Sequence, residues 1–450
     1  MAKTNTEKKP AKKKPAPALF TRLRGHFGTD PAKLPVIEQK FQFYDRANLH
    51  LTVEELLAKA GPHSLVGVVL PHEYSGVSLA KLSRPATAKG YEEGPVEYVD
   101  VQLADDQRLA CVRQGLYTCR DDGKPVALLV SESERFYSTG ITVEVMASDR
   151  DTAERFTRKL AKGVRHGTAF RGKVLSVEAD CHGRTTVRFH NLPDVGRENL
   201  ILPAELLARI ERQAMGLSKH AGRLKAAGRH LKRGILMHGK PGTGKTLSAM
   251  YLAAQMPGRT VMILTGGAVG SIETACGLAR LLEPATIVLE DVDLIGTERN
   301  EQTVGANALL FELLKQMDGL GEDADILLVL TTNRPDHLEP ALAARPGRID
   351  LAIEVPLPDA DCRRRLFDLY GRGLKLELGD PAVWVRRTNG VSAAFIRELL
   401  RKAAVLAAEE DGTSELVVTD RHMEEATAEL LVAGGALTKT LLGVDRNGDG

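Results

Sequence analysis

Apolar residues follow two different rhythms along this chain, and the change falls near residue 190. Before it the pattern keeps shifting. Val96 to Leu103 and Ile141 to Met146 alternate like half-buried strands, whereas Asp151 to Val164 repeats at the helical period. That mixture predicts an α+β domain over residues 21–190. Of the chain's 20 aromatic residues, 14 lie before residue 190, so this region should carry a core of its own, with Phe41, Phe43 and Tyr44 packed into it.

Beyond residue 190 the apolar runs become continuous and alternate with helical periods, as buried parallel strands with crossover helices require. Strands are expected at Arg233–His238, Thr260–Leu264, Thr286–Leu289, Ile326–Thr331 and Ile349–Val355, five in one sheet. A helix follows the first of them, with Leu247, Met250, Tyr251 and Ala254 as its apolar stripe. After Pro356 and Pro358 the remainder reads as helices, one of them capped by Ser392 ahead of Ile396, Leu399, Leu400 and Ala403.

Composition changes this picture little. The 450 residues hold 61 Lys plus Arg against 59 Asp plus Glu, with 43% hydrophobic and 27% charged positions, ordinary for a folded chain of two to four domains. Charge is uneven, however. Lys3, Lys8, Lys9, Lys12, Lys13 and Lys14 against Glu7 give residues 1–20 a net +5, and Pro10, Pro15 and Pro17 make that segment a disordered, solubilising basic tail. No apolar stretch reaches about 18 residues and no signal-peptide core follows the first lysines, so the expectation is a cytoplasmic protein without a membrane partner. Cys111, Cys119, Cys181, Cys276 and Cys362 are scattered without a CxxC pair and read as structural thiols.

Chemistry concentrates between residues 239 and 350. Gly239-Lys240-Pro241-Gly242-Thr243-Gly244-Lys245-Thr246 fits GxxxxGK[ST] between a strand and a helix, with Leu247 next in the helix. Its glycines let backbone N–H groups wrap phosphates, Lys245 reaches the β and γ phosphates, and Thr246 ligates magnesium. Thr286-Ile287-Val288-Leu289-Glu290-Asp291 ends a buried strand in two carboxylates, suited to holding the metal and orienting water. Arg345 and Arg348 sit in a Pro-Gly turn, where they either pair with surface acids or project into a neighbouring subunit's nucleotide. ATP and Mg2+ are therefore the expected cofactors.

Residues 190–430 resemble the AAA module of the AAA+ ATPases. The resemblance rests on the P-loop, on PATIVLEDVDLI (Pro284–Ile295) at the Walker B strand, on LLKQMDG (Leu313–Gly319), and on TNRPDHLEPALAARPGRID (Thr332–Asp350). It implies an α/β P-loop fold with a five-stranded parallel sheet and a helical lid, assembled as a ring, usually a hexamer. On that resemblance the core spans 191–356, the lid 357–433 and a flexible tail 434–450. It also makes Lys245 the nucleotide anchor, Glu290 the metal ligand with Thr246, Asp291 the residue acting on water, Asn333 sensor 1, and Arg345 and Arg348 fingers acting in trans.

This sequence departs from the family pattern in three places. Glu290-Asp291 reverses the usual Asp-Glu, drawing the carboxylate that acts on water back by roughly 1.5 Å. The loop Gly266–Glu273 has no aromatic to grip a threaded chain. Both features resemble the mitochondrial branch that translocates the folded Rieske protein. Gly390-Val391-Ser392-Ala393-Ala394 lacks a sensor 2 arginine, with Arg397 one turn later reading as a surface charge. Arg363, Arg364 and Arg365 read as a solvated face, and Asp445–Gly450 as half an EF-hand loop that binds no calcium. The function expected is a ring ATPase that remodels, assembles or disassembles protein partners chosen by the N-terminal domain. A nucleotide-gated scaffold with slow hydrolysis is the alternative, and nucleic-acid remodelling, resting on the lysine tail, is the weaker third.

Overall fold

The computed structural model describes residues 16–72, 76–104, 107–132, 140–179, 185–192, 195–264, 272–292, 315–316, 324–335, 349–410 and 415–433. The chain forms two compact units, residues 1–169 with 180–186, and residues 170–179 with 187–450.

In the first unit, β1 (Val36–Gln42), β2 (Ser64–Val69), β3 (Glu92–Gly94), β4 (Glu97–Ala104), β5 (Gln107–Asp121), β6 (Lys124–Glu132) and β7 (Gly140–Ala147) form an antiparallel sheet. Its order is β1-β7-β6-β5-β2-β3, with β4 paired to the outer half of β5. Strand β6 shows why the apolar pattern here is not a simple alternation. Val126, Leu128 and Val130 pack with helices Arg46–Ala60 and Arg150–Arg165 on one face, while Ala127 and Leu129 pack with helix Ala18–Phe27 on the other. Both faces are covered, so both sets of positions are apolar. Phe41 is buried in this core and Phe43 packs against it. The tail expected through residue 20 ends earlier, because Leu19 and Phe20 are buried on the first helix.

The second unit is built on a sheet of order β14-β10-β13-β12-β11-β8-β9. Its strands are β8 (Val174–Ala179), β9 (Thr185–His190), β10 (Arg233–His238), β11 (Thr260–Leu264), β12 (Ala285–Leu289), β13 (Ile326–Thr332) and β14 (Leu351–Glu354). The five expected strands pair in parallel, and β8 extends them by pairing parallel with β11. Sequence rhythm had assigned β8 and β9 to the preceding domain. A strand that joins a sheet through a partner some 85 residues later leaves no local mark in that rhythm. Every residue of β12 and β13 is buried, as a sheet covered on both faces requires.

A buried ionic network ties together the N-terminal ends of these strands. Asp325, just before β13, accepts from Arg233 at 3.2 Å and from Arg259 at 2.8 Å, and Ser218 accepts from the same two guanidinium groups. Both arginines are at most 5% exposed.

Helices Ala360–Tyr370, Pro381–Arg387, Ala393–Glu410 and Asp420–Ala428 form the lid around Trp384, Phe395, Leu399 and Met423. Trp384 donates its indole N–H to Asp420 at 2.6 Å. Arg363 corrects the expectation of a solvated basic run. It is 6% exposed and donates to the carbonyls of Val385 and Pro358, both at 2.8 Å, whereas Arg364 and Arg365 stay at the surface beside Asp361.

Candidate nucleotide and metal site

Strand order fixes where a ligand belongs. Strand β10 has β14 on one side and β13 on the other, so the order reverses there, and open α/β sheets bind ligands beyond the carboxyl ends of strands at such a switch. Residues 239–246 follow β10 at that point and lead into helix Lys245–Ala254. Gly239, Gly242 and Gly244 have φ of 144°, 74° and 103°, which turns the loop's backbone into a concave cradle. Thr243 braces it by donating to the Lys240 carbonyl at 2.9 Å. Lys245 is 5% exposed and donates from Nζ to the carbonyls of Gly239 at 2.9 Å and Lys240 at 2.8 Å, which holds its ammonium at the cradle.

The helix after the cradle buries Tyr251 as expected, but its buried stripe is otherwise shifted from the expected one. Lys245, Ser248, Ala249 and Leu252 are buried, and Leu247 and Met250 pack only partly. Tyr251 donates to Glu211 at 2.6 Å, and Glu211 also accepts from Arg197 at 2.9 Å, so the helix is tied to the segment entering this unit.

The two carboxylates have different partners. Glu290 lies near enough to the Thr246 hydroxyl to feel it electrostatically, while its Oε1 is buried without a hydrogen-bond partner. Burial pushes its pKa up, the Thr246 hydroxyl opposes this, and the neighbouring Asp291 charge adds to the rise. An orphaned buried carboxylate oxygen beside a threonine hydroxyl suits a hard cation with oxygen ligands. Asp291 instead meets Asn333, whose Nδ2 donates to Asp291 Oδ1 at 2.9 Å. The Asp291 backbone N–H donates to the hydroxyl of Thr331 at 3.0 Å. Thr331 is a participant that motif reading passed over. Its only signal was a polar, β-branched pair, Thr331-Thr332, closing an otherwise aliphatic strand.

The lid reaches the same cradle. Ser392 caps helix Ala393–Glu410 by accepting from Phe395 N at 3.2 Å, as the sequence predicted. One residue on from the capped start, Ala394 N donates to the Gly242 carbonyl at 3.1 Å. Arg397 is exposed. Arg345 and Arg348, the loop residues 266–271 and the 445–450 segment lie outside the described residues, and Ile272 and Glu273 already belong to helix Ile272–Leu281.

Residues 235–357 match the family described as ATPase family associated with various cellular activities (AAA). This part of the chain is an AAA ATPase domain. It is similar to the ATP-dependent zinc metalloprotease FtsH of Rhodococcus erythropolis, 33% identical over 236 residues, 49% of this chain and 27% of that protein. FtsH of Mesoplasma florum is 31% identical over 271 residues, 57% of this chain and 39% of that protein. Proteasome-activating nucleotidase of Pyrococcus abyssi is 33% identical over 207 residues, 43% of this chain and 52% of that protein. The chain thus spans about a quarter to about half the length of these curated relatives. ATP with Mg2+ is the cofactor pair of an AAA ATPase domain, and the cradle and the Glu290–Thr246 pair fit both. Among the described residues no helix is long and apolar enough to cross a membrane, and no three His, Cys, Asp or Glu residues cluster as a metal site.

Proposed function

We propose that the chain is a Mg-ATP-dependent ATP hydrolase that works as a ring oligomer and remodels, assembles or disassembles protein partners engaged by residues 21–190. The carrying observation is the convergence at one end of the sheet of Glu290 with Thr246 and of Asp291 with Asn333. In this reading the cradle of residues 239–247 and the Lys245 ammonium hold the phosphates, and Thr246 and Glu290 supply oxygens to the magnesium. The bound ion neutralises charge developing on the phosphates. Asp291 takes the proton of the attacking water while Asn333 fixes the direction of that carboxylate. Arg345 and Arg348 act from a neighbouring subunit, which makes turnover depend on assembly.

Protein partners are favoured by the relatives, whose names denote a protease and an activator of the proteasome. No protease step is part of this reading, since the 450 residues contain no His-Glu-x-x-His. A folded cargo, as in the Rieske translocase branch, is suggested by the Glu-Asp order and the loop without aromatics.

The test is Asp291→Asn. ATP binding should persist at wild-type affinity while steady-state hydrolysis disappears, and unchanged turnover removes the role given to Asp291. A second reading, a nucleotide-gated scaffold with slow hydrolysis, is favoured by the short carboxylate at residue 291. In that case partner proteins would leave the hydrolysis rate unaltered.

A further inference from the structure

Two non-glycine residues among those described have positive φ, Asp122 at 49° and Asp291 at 46°. The first has an ordinary reason. Asp122-Gly123 is the two-residue turn between β5 and β6, where Asp121 pairs with Lys124. Asp291 is in no hairpin. It follows β12 where the ladder to β13 stops, the last pair being Leu289 with Leu330.

The next residue of β13, Thr331, takes over from the ladder. It is fully buried, its hydroxyl accepts from Asp291 N at 3.0 Å, and its carbonyl accepts from Val292 N at 3.0 Å. Two successive backbone donors thus end on one residue, on either side of the left-handed position. In a continuing strand, residues 290 and 291 would point to opposite faces. The turn breaks that alternation, so that Glu290 meets Thr246 while Asp291 meets Asn333.

We propose that Thr331 is a positioning residue that holds Asp291 in its left-handed conformation, and that this backbone turn stands in for the methylene by which an aspartate falls short of a glutamate. Aspartate tolerates the left-handed region better than glutamate does, because its short polar side chain bonds locally. The inverted Glu-Asp order is then one half of a matched pair whose other half is the hydroxyl at residue 331. The proposal rests on the hydrolase reading above.

The experiment compares kcat, KM, ATP affinity and thermal unfolding for the wild-type chain and for Thr331→Val, Thr331→Ser and Asp291→Glu. Valine keeps the shape and removes the acceptor, so kcat should fall on the order of 10- to 100-fold while KM and ATP affinity move less than about twofold. Serine should restore most of the rate, which separates the hydroxyl from packing. Asp291→Glu, which restores the commoner side chain, should also slow turnover, because glutamate resists the left-handed turn and carries its carboxylate past Asn333. Wild-type kcat in Thr331→Val, or an equal or faster Asp291→Glu, overturns the positioning role while leaving the hydrolase reading intact. If Thr331→Val does not fold, the serine and glutamate variants still decide. A wild-type chain that binds ATP without any turnover removes both.

Discussion

Gly242→Ala probes how closely the cradle and the lid are coupled. Gly242 has φ of 74°, and a Cβ placed there would lie 2.8 Å from both the Cβ of Ala394 and the Oγ of Ser392. Those atoms cannot yield freely. They belong to the start of helix Ala393–Glu410, which is anchored in the lid core by Phe395 and Ile396. The left-handed conformation costs an alanine about 1–2 kcal/mol, and relieving the clash by moving the lid breaks the Ala394 N–H bond to Gly242, worth about another 1 kcal/mol. A total of about 2–3 kcal/mol corresponds to a loss of ATP affinity of roughly 30- to 150-fold where binding needs the closed arrangement. Gly244→Ala is the control, because its φ is 103° but nothing lies within 4 Å of its Cβ, so only the backbone cost applies. The second control is Gly242→Ala with Ala394→Gly, which removes one of the two clashing atoms. Titration calorimetry with ATP should rank Gly242→Ala weakest, with the double variant recovering at least about 0.5 kcal/mol. Equal affinities for Gly242→Ala and Gly244→Ala, or no recovery in the double variant, would refute the coupling.

Three further outcomes follow from the same geometry. Asp325→Ala leaves two buried guanidinium groups without their carboxylate and should destabilise the second unit by about 3–5 kcal/mol, read by denaturant unfolding. Glu290→Gln removes a buried charge, so the nucleotide-free chain should keep or raise its melting temperature. The stabilisation by Mg-ATP, about 2.7 kcal/mol at 100 times Kd for the wild type, should shrink in that variant. In the first unit, burial pushes Asp45 up to about 6, against the N–H of Gln42 that pulls it down. The folded state then holds the proton more tightly than the unfolded one. Stability should decline as pH rises from about 4 through about 6, by up to roughly 3 kcal/mol, and Asp45→Asn should remove that decline.

The parts legible in the sequence were those set by local pattern. Arg233–His238 and Thr260–Leu264 form the strands their continuous apolar runs predicted, and Ser392 caps the helix its spacing implied. The glycine-rich turn that brings Lys245 to its carbonyls was legible because its glycines and lysine are contiguous. Contacts between distant segments left no such trace. Strand β8 joins β11 across the chain, Ala394 reaches Gly242, and Arg363 turns inward to two carbonyls although Arg364 and Arg365 stay at the surface. The left-handed turn at Asp291 was hidden for a similar reason. The inverted Glu-Asp order was visible in the sequence, but the hydroxyl that accommodates it belongs to another strand.

The central claim, an ATPase whose turnover depends on assembly, is tested most directly by steady-state hydrolysis of Mg-ATP across a protein concentration series. The same samples should be sized, with Arg348→Ala alongside. Specific activity should rise as the oligomer forms and collapse in the variant while ATP binding remains. Activity that is independent of concentration, or an Arg348→Ala oligomer as fast as the wild type, would contradict the account.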